Sequence, residues 1–317
     1  MRFLTHVSDT LEGLASMQVN QIEPTGVIEG SYLESRRFRG EVRRFLRQRN
    51  SLVGLIVLFG FVLWAISPQS FEPHNPYRSH LLNASLPPSQ QHWMGTDAQG
   101  RDVLSRSVEG TRASLAMGLV PVTIGLSVGG VLGLVAGYYR RLGDLVIMRF
   151  TDLLMAFPGI ILALMIVAAL GTHGGSNSLK AMFAIGLALI PTFARVMRGS
   201  VLSAKEFPYI DAAIATGCGD LRIMFRHLLP NVVAPMLILG TLSIAGAMLA
   251  GASLSFLGLG AQPPSIEWGS MINDGRQRIN TAWWISTFPG IMLMFTVIAI
   301  NLLGDGARDL LDPRLRI

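Results

Sequence analysis

Six apolar runs set the limits on this chain, at residues 51–67, 113–138, 145–170, 179–199, 231–258 and 285–304. A helix rising 1.5 Å per residue crosses about 30 Å of hydrocarbon in roughly 20 residues, so each run can span a bilayer. Half of all residues are hydrophobic and only 15% are charged, which is outside the composition of an ordinary soluble domain. The expected fold is an all-α membrane protein with six transmembrane helices. An even number of crossings leaves both termini on one side.

The cations say which side. Arg2, the run Arg36, Arg37, Arg39, Arg43, Arg44, Arg47 and Arg49, then Arg140, Arg141, Arg149, Arg195, Arg198, Lys205, Arg222, Arg226, Arg308, Arg314 and Arg316 fall in segments of one side. Only Arg78, Arg101, Arg106, Arg276 and Arg278 fall opposite, with Arg112 and Lys180 at boundaries. Basic residues stay in the cytoplasm, so both termini and the 200–230 loop are expected there. Loops 68–112 and 261–284 are then outside. Residues 1–35, acidic and polar with no long apolar core, read as a mobile cytoplasmic tail and not a cleavable signal peptide. Residues 36–50 read as a basic cytoplasmic segment, and 51–317 as the membrane domain.

The net charge of +6 does not imply nucleic acid, because the cations flank apolar runs and form no basic-aromatic surface. The single Cys218 leaves no internal disulfide. His74, His80 and His92 share one outer loop without a ligand spacing, so neither a metal nor a catalytic centre is expected. Arg149 and Asp152 lie three apart near a cytoplasmic helix end and read as a helix-end pair. A secondary carrier or a channel would show mid-membrane acids, broken helices or a filter-like loop. No run carries a central acid, which favours an external energy source.

Two runs carry small-residue ridges, Gly125, Gly129, Gly133 and Gly137 in one, and Ser243, Ala247, Gly251 and Ser255 in the other. In lipid, close packing along such ridges supplies helix association. Packing inside the chain and packing on a second membrane chain both satisfy them.

The most polar cytoplasmic stretch runs from Tyr209 to Asn231. Pro208 suits a first helical turn, and Gly217 suits the left-handed residue that closes a helix. Asp220 is placed to cap a second helix carrying Leu221, Met224, Phe225 and Leu228, which Pro230 interrupts or kinks. Ala212, Ala213 and Ala215 leave the first helix nearly bald, so another protein can close on its backbone. The spacing resembles the cytoplasmic EAA loop of ABC-importer permeases, with Asp211-Ala212-Ala213, Gly217 and Leu229-Pro230 in its places. Asp211 stands where Glu is commonest, and His227 where an aliphatic residue is.

Four more blocks resemble the oligopeptide/dipeptide permease family, specifically its C-type membrane subunit. They are His92-Trp93-Met94-Gly95-Thr96-Asp97-Ala98-Gln99-Gly100-Arg101-Asp102-Val103-Leu104-Ser105-Arg106, then Ser255 to Pro264 with Glu267-Trp268-Gly269, then Asn301 to Asp309, and Asp312-Pro313-Arg314-Leu315. The resemblance implies a subunit of an ATP-driven importer in the bacterial inner membrane, half of a pathway for di- or oligopeptides. Glutathione, opines, nickel chelates and antimicrobial peptides use similar permeases. It further implies a homologous second permease, two ABC ATPase subunits that use ATP and Mg, and an extracytoplasmic solute-binding protein. The chain has no Gly-x-x-x-x-Gly-Lys-Ser/Thr loop, so no cofactor is expected on it. Tyr209, Asp211, Ala212, Ala213, Gly217, Leu229 and Pro230 become the expected ATPase-coupling residues.

The two outer loops hold Trp93, Asp97, Arg101, Asp102, Trp268, Trp283, Trp284, Arg276 and Arg278, and are expected to form a vestibule that meets the binding protein. Thr96 or Asp97 is placed to cap a helix there. A membrane-interface belt would also account for the tryptophans.

Overall fold

A computed structural model describes residues 48–171 and 177–311, with side chains through Asp309. The tail 1–35, the arginines at 36–47 and the Asp312-Pro313-Arg314-Leu315 block lie outside the described residues. Among the described residues the chain forms nine longer helices, two single 3-10 turns at Pro68–Ser70 and Leu81–Asn83, and no strand, apart from an isolated bridge between Thr96 and Asp102. They are α1 Arg49–Ile66, α2 Val103–Tyr139, α3 Arg141–Met155, α4 Gly159–Leu170, α5 Asn177–Ala204, α6 Pro208–Ala215, α7 Asp220–Phe256, α8 Trp268–Arg276 and α9 Trp284–Leu311. Five of these are long and apolar enough to cross a membrane, and six crossings result if α3 and α4 count as one.

The third apolar run is thus a broken one. Its halves α3 and α4 meet at 93°. Pro158 stands at the break, where it lacks an amide hydrogen and disfavours helical geometry at Phe157. The apolar composition continues through the bend, so hydropathy alone reads a single span.

α2 begins ten residues before its apolar run because Asp102 caps it, accepting the Ser105 N–H at 2.8 Å. Its first turns, from Val103 to Val108, are buried. A π-helical turn at Gly125–Gly129 lies shortly after Pro121. The glycine ridge then packs on α5: a β-carbon at Gly129 would stand 2.6 Å from the Ile190 carbonyl oxygen, and one at Gly137 would stand 2.8 Å from Val201. This ridge is internal. The second ridge divides. Gly251 packs on Met117 of α2, and Ser255 Oγ accepts the Ala261 N–H at 3.2 Å. Ser243 and Ala247 instead line an apolar cavity of about 300 Å³ with Gly159, Ile160 and Ile185.

Two buried clusters result. One joins α2, α4, α5, α6 and α7 through Met117, Val167, Phe193, Met197, Ile210, Met224 and Leu228. The other joins α1, α2, α7, α8 and α9 through Phe61, Val103, Met248, Trp268, Trp284 and Ile300. The far side of α1 leaves Val53, Ile56 and Phe59 more than half exposed. An apolar side of that extent needs lipid or another protein to cover it.

Candidate coupling site and outer loops

α6 is built as a two-faced peg. Phe207 is extended and Pro208 opens the helix. Ile210 and Ala213 face inward and are buried, inside the same cluster as Ile223, Met224 and Leu228 of α7. Asp211, Ala212 and Ala215 face outward and are exposed. Large apolar side chains border them: Tyr209, Ile214, Phe207, Leu221 and Phe225 are all exposed, and the Phe207 and Tyr209 rings stack at 6.0 Å.

Gly217 closes α6 with φ of +78°. The Gly217 N–H donates to Ile214 O at 2.9 Å and the Cys218 N–H to Ala213 O at 3.1 Å, the six-to-one closure typical of a left-handed helix end. Nothing lies within 4 Å of where a Gly217 β-carbon would sit. The glycine answers a backbone requirement and no lack of room.

Asp220 does not cap α7 as expected; the residue at that position is Gly219. The Asp220 carboxylate instead accepts the Tyr138 hydroxyl at 2.7 Å. Lys205 Nζ donates to Tyr138 O at 2.7 Å and stands 4.8 Å above its ring. Burial first, then the nearby Arg140 charge, lowers the Lys205 ammonium from its ordinary value. These three residues tie together the ends of α2, α5 and α7 that lie at the root of α6.

Pro230 does not stop α7 either. A π-helical turn at Ile223–Leu228 precedes it, and the helix runs on to Phe256. The wider turn accommodates a proline that takes a hydrogen bond out of the ladder. Leu229 is half-buried and Pro230 exposed on the α6 side of the chain's membrane run.

The expected Arg149–Asp152 pair is replaced by contacts between helices. Arg195 donates to Asp152 at 2.8 Å, and Arg198 grips Asp144 with two hydrogen bonds at 2.5 and 2.6 Å. Both pairs join α3 to α5.

In the 68–112 and 261–284 loops, several expected vestibule residues are structural. Asp97 Oδ1 accepts the Gln99 and Arg101 N–H groups at 2.9 Å, and Oδ2 accepts Arg101 Nε at 2.7 Å. Asp97 and Asp102 are both buried, and Asp102, not Thr96 or Asp97, is the cap of α2. Trp268 is fully buried: its N–H donates to Ser114 Oγ at 3.0 Å and its Nε1 to Ser107 O at 2.9 Å. Beside it, Glu267 caps α8 through the Gly269 and Ser270 N–H groups. Burial raises the Glu267 carboxyl, and those hydrogen bonds oppose the rise.

The two outer loops do meet. Trp284 Nε1 donates to Thr96 O at 3.1 Å, and Arg278 Nη1 donates to Ser85 Oγ at 3.0 Å. Trp93, Trp283, Arg276 and Arg278 remain exposed on this face. Near it, Glu72 faces Glu109. Burial first, then that second carboxyl, pushes Glu72 up to about 7.

A multi-pass helical bundle that holds out a short, small-residue helix rooted in its own core is the arrangement of a transporter's permease component. The chain belongs to the family of binding-protein-dependent transport system inner membrane components, which it matches over residues 129–317. Residues 38–88 match the N-terminal TM domain of oligopeptide transport permease C. The chain is 42% identical over 277 residues to the glutathione transport system permease protein GsiD of Pectobacterium atrosepticum, covering 86% of this chain and 90% of that one. It is 41% identical over 288 residues to the dipeptide transport system permease protein DppC of Alkalihalophilus pseudofirmus, covering 91% and 93%. Its fold matches a chain of the inward-facing MetNI methionine ABC transporter with TM-score 0.50 at 20% identity, over 64% of this chain and 95% of that one.

Proposed function

We propose that this permease forms half of the translocation pathway of an ATP-driven importer in the bacterial inner membrane, with its termini and α6 in the cytoplasm. Its partners are a homologous second permease, two ABC ATPase subunits and an extracytoplasmic solute-binding protein. The ATPase subunits hold ATP and Mg. This chain holds neither. Glutathione and dipeptides, named for its relatives, share one chemistry, so the proposed solute is a short peptide.

The observation that carries the reading is the continuity of packing behind α6. Ile210 and Ala213 sit in one buried cluster with α7, α5 and α2, so a push on the outward face of α6 bears on packing shared with three membrane helices. Coupling between two global states requires contacts that differ in each. An ATPase groove that closes with ATP and carries α6 along supplies that difference.

Gly217→Val tests it. A β-branched residue at φ of +78° is strained by about 1–2 kcal/mol, yet meets no neighbour. The variant should assemble but lose most solute uptake in reconstituted vesicles while its ATPase subunits still hydrolyse ATP. Wild-type uptake by an assembled variant would contradict the proposal.

A further inference from the structure

Three residues far apart in the outer loop meet at one point. His92 Nδ1 lies 2.9 Å from Asp102 Oδ1, and His74 Nδ1 lies 3.8 Å from the same oxygen. The two imidazole rings are tilted 37° to each other with centroids 4.7 Å apart. One donor atom from each residue can be chosen so that all lie within 4.8 Å of one another. Ligands at about 2.0–2.2 Å around tetrahedral zinc stand about 3.3–3.6 Å apart. The cluster is therefore within small side-chain adjustments of a coordination sphere.

We infer that His74, His92 and Asp102 form a binding site for a divalent transition cation of the zinc type. The donor set, two imidazoles and one carboxylate, suits that class and not Mg²⁺ or Ca²⁺, which require oxygen ligands. The surroundings are organised for it. Asp102 Oδ2 is fully engaged by the Ser105 N–H at 2.8 Å and hydroxyl at 2.7 Å, which fixes the carboxylate and leaves Oδ1 turned to the histidines. Ser105 Oγ also accepts the His74 N–H at 3.1 Å, so one hydroxyl steadies two ligands. Side-chain exposure falls from 44% at His74 to 12% at His92 and 2% at Asp102, giving a floor, a wall and one open side. The open side supplies access and a place for a water in the fourth position. A bound ion would staple the segment around His74 to the head of α2.

The full chain, purified in detergent with a tag that lacks histidine, is titrated with Zn²⁺ against a chromogenic chelator and with Co²⁺ by visible absorption. The wild type should bind Zn²⁺ and give tetrahedral Co²⁺ bands, with Mg²⁺ and Ca²⁺ failing to compete. His74→Ala, at the most exposed ligand, should weaken binding at least about tenfold and remove those bands. His80→Ala, an exposed histidine of the same loop outside the cluster, should change nothing. Metal-free melting of His74→Ala at the wild-type temperature establishes that it folds. No Zn²⁺ binding by the wild type, unchanged binding by His74→Ala, or equal loss in His80→Ala would overturn the assignment.

Discussion

Single side chains decide how the outer loop responds to pH. Glu72 has one buried carboxylate oxygen without a hydrogen-bond partner and faces Glu109, which holds its proton to about 7 against 4.5 for an ordinary carboxyl. Below 4.5 the group is protonated in folded and unfolded chains alike, so its burial carries no charge penalty. As pH rises through the folded value the loop must bury a carboxylate beside another, and the stability present at low pH is lost. Glu72→Gln should therefore flatten the decline in melting temperature between about pH 4.5 and about pH 7, measured in detergent. An identical pH slope in variant and wild type would remove Glu72 from this role. The neighbouring Tyr77 hydroxyl, which donates to Glu109 at 2.9 Å, is pushed to about 12 by burial and the same carboxyl, so it stays protonated across that window.

Helices set what the residues can be. The contact of α2 with α5 is a backbone contact, and its closeness depends on Gly129 lacking a side chain. Gly129→Leu would place its β-carbon against the Ile190 carbonyl and the Phe193 side chain and force the pair apart, at a cost of about 1–3 kcal/mol or more. Melting in detergent should fall by several degrees. A shift within error would show that the ridge is not packed this way.

Legibility at this scale follows range along the chain. The span positions, the Gly217 elbow and the Pro208 helix start were readable because each rests on local composition or backbone preference. The α3–α4 break was less so, since Pro158 sits in an unbroken apolar run. Asp220 looked like a cap, and its real partner Tyr138 lies 82 residues away. His74, His92 and Asp102 likewise have no motif spacing, because loop geometry and not helix periodicity brings them together. Trp268 read as a surface anchor, and nothing local indicated that Ser107 and Ser114 would take both its N–H groups inside.

Across the described residues, α6 shares one buried core with α2, α4, α5 and α7, while the 68–112 and 261–284 loops are fastened to a second one through Val103, Trp268 and Trp284. α6 is the piece of the first core that reaches out, with bald Ala212 at its exposed centre and aromatic Phe207 and Tyr209 at its border. The measurement that bears most directly on coupling through α6 is a bulk placed at that centre. In a Cys218→Ala background, Ala212→Cys is labelled with a large maleimide and the complex is reconstituted with its partners. Uptake should be abolished, and ATP hydrolysis should no longer respond to solute-loaded binding protein, while the unlabelled variant transports normally. A fully labelled, assembled complex that transports at the unlabelled rate would contradict coupling through α6.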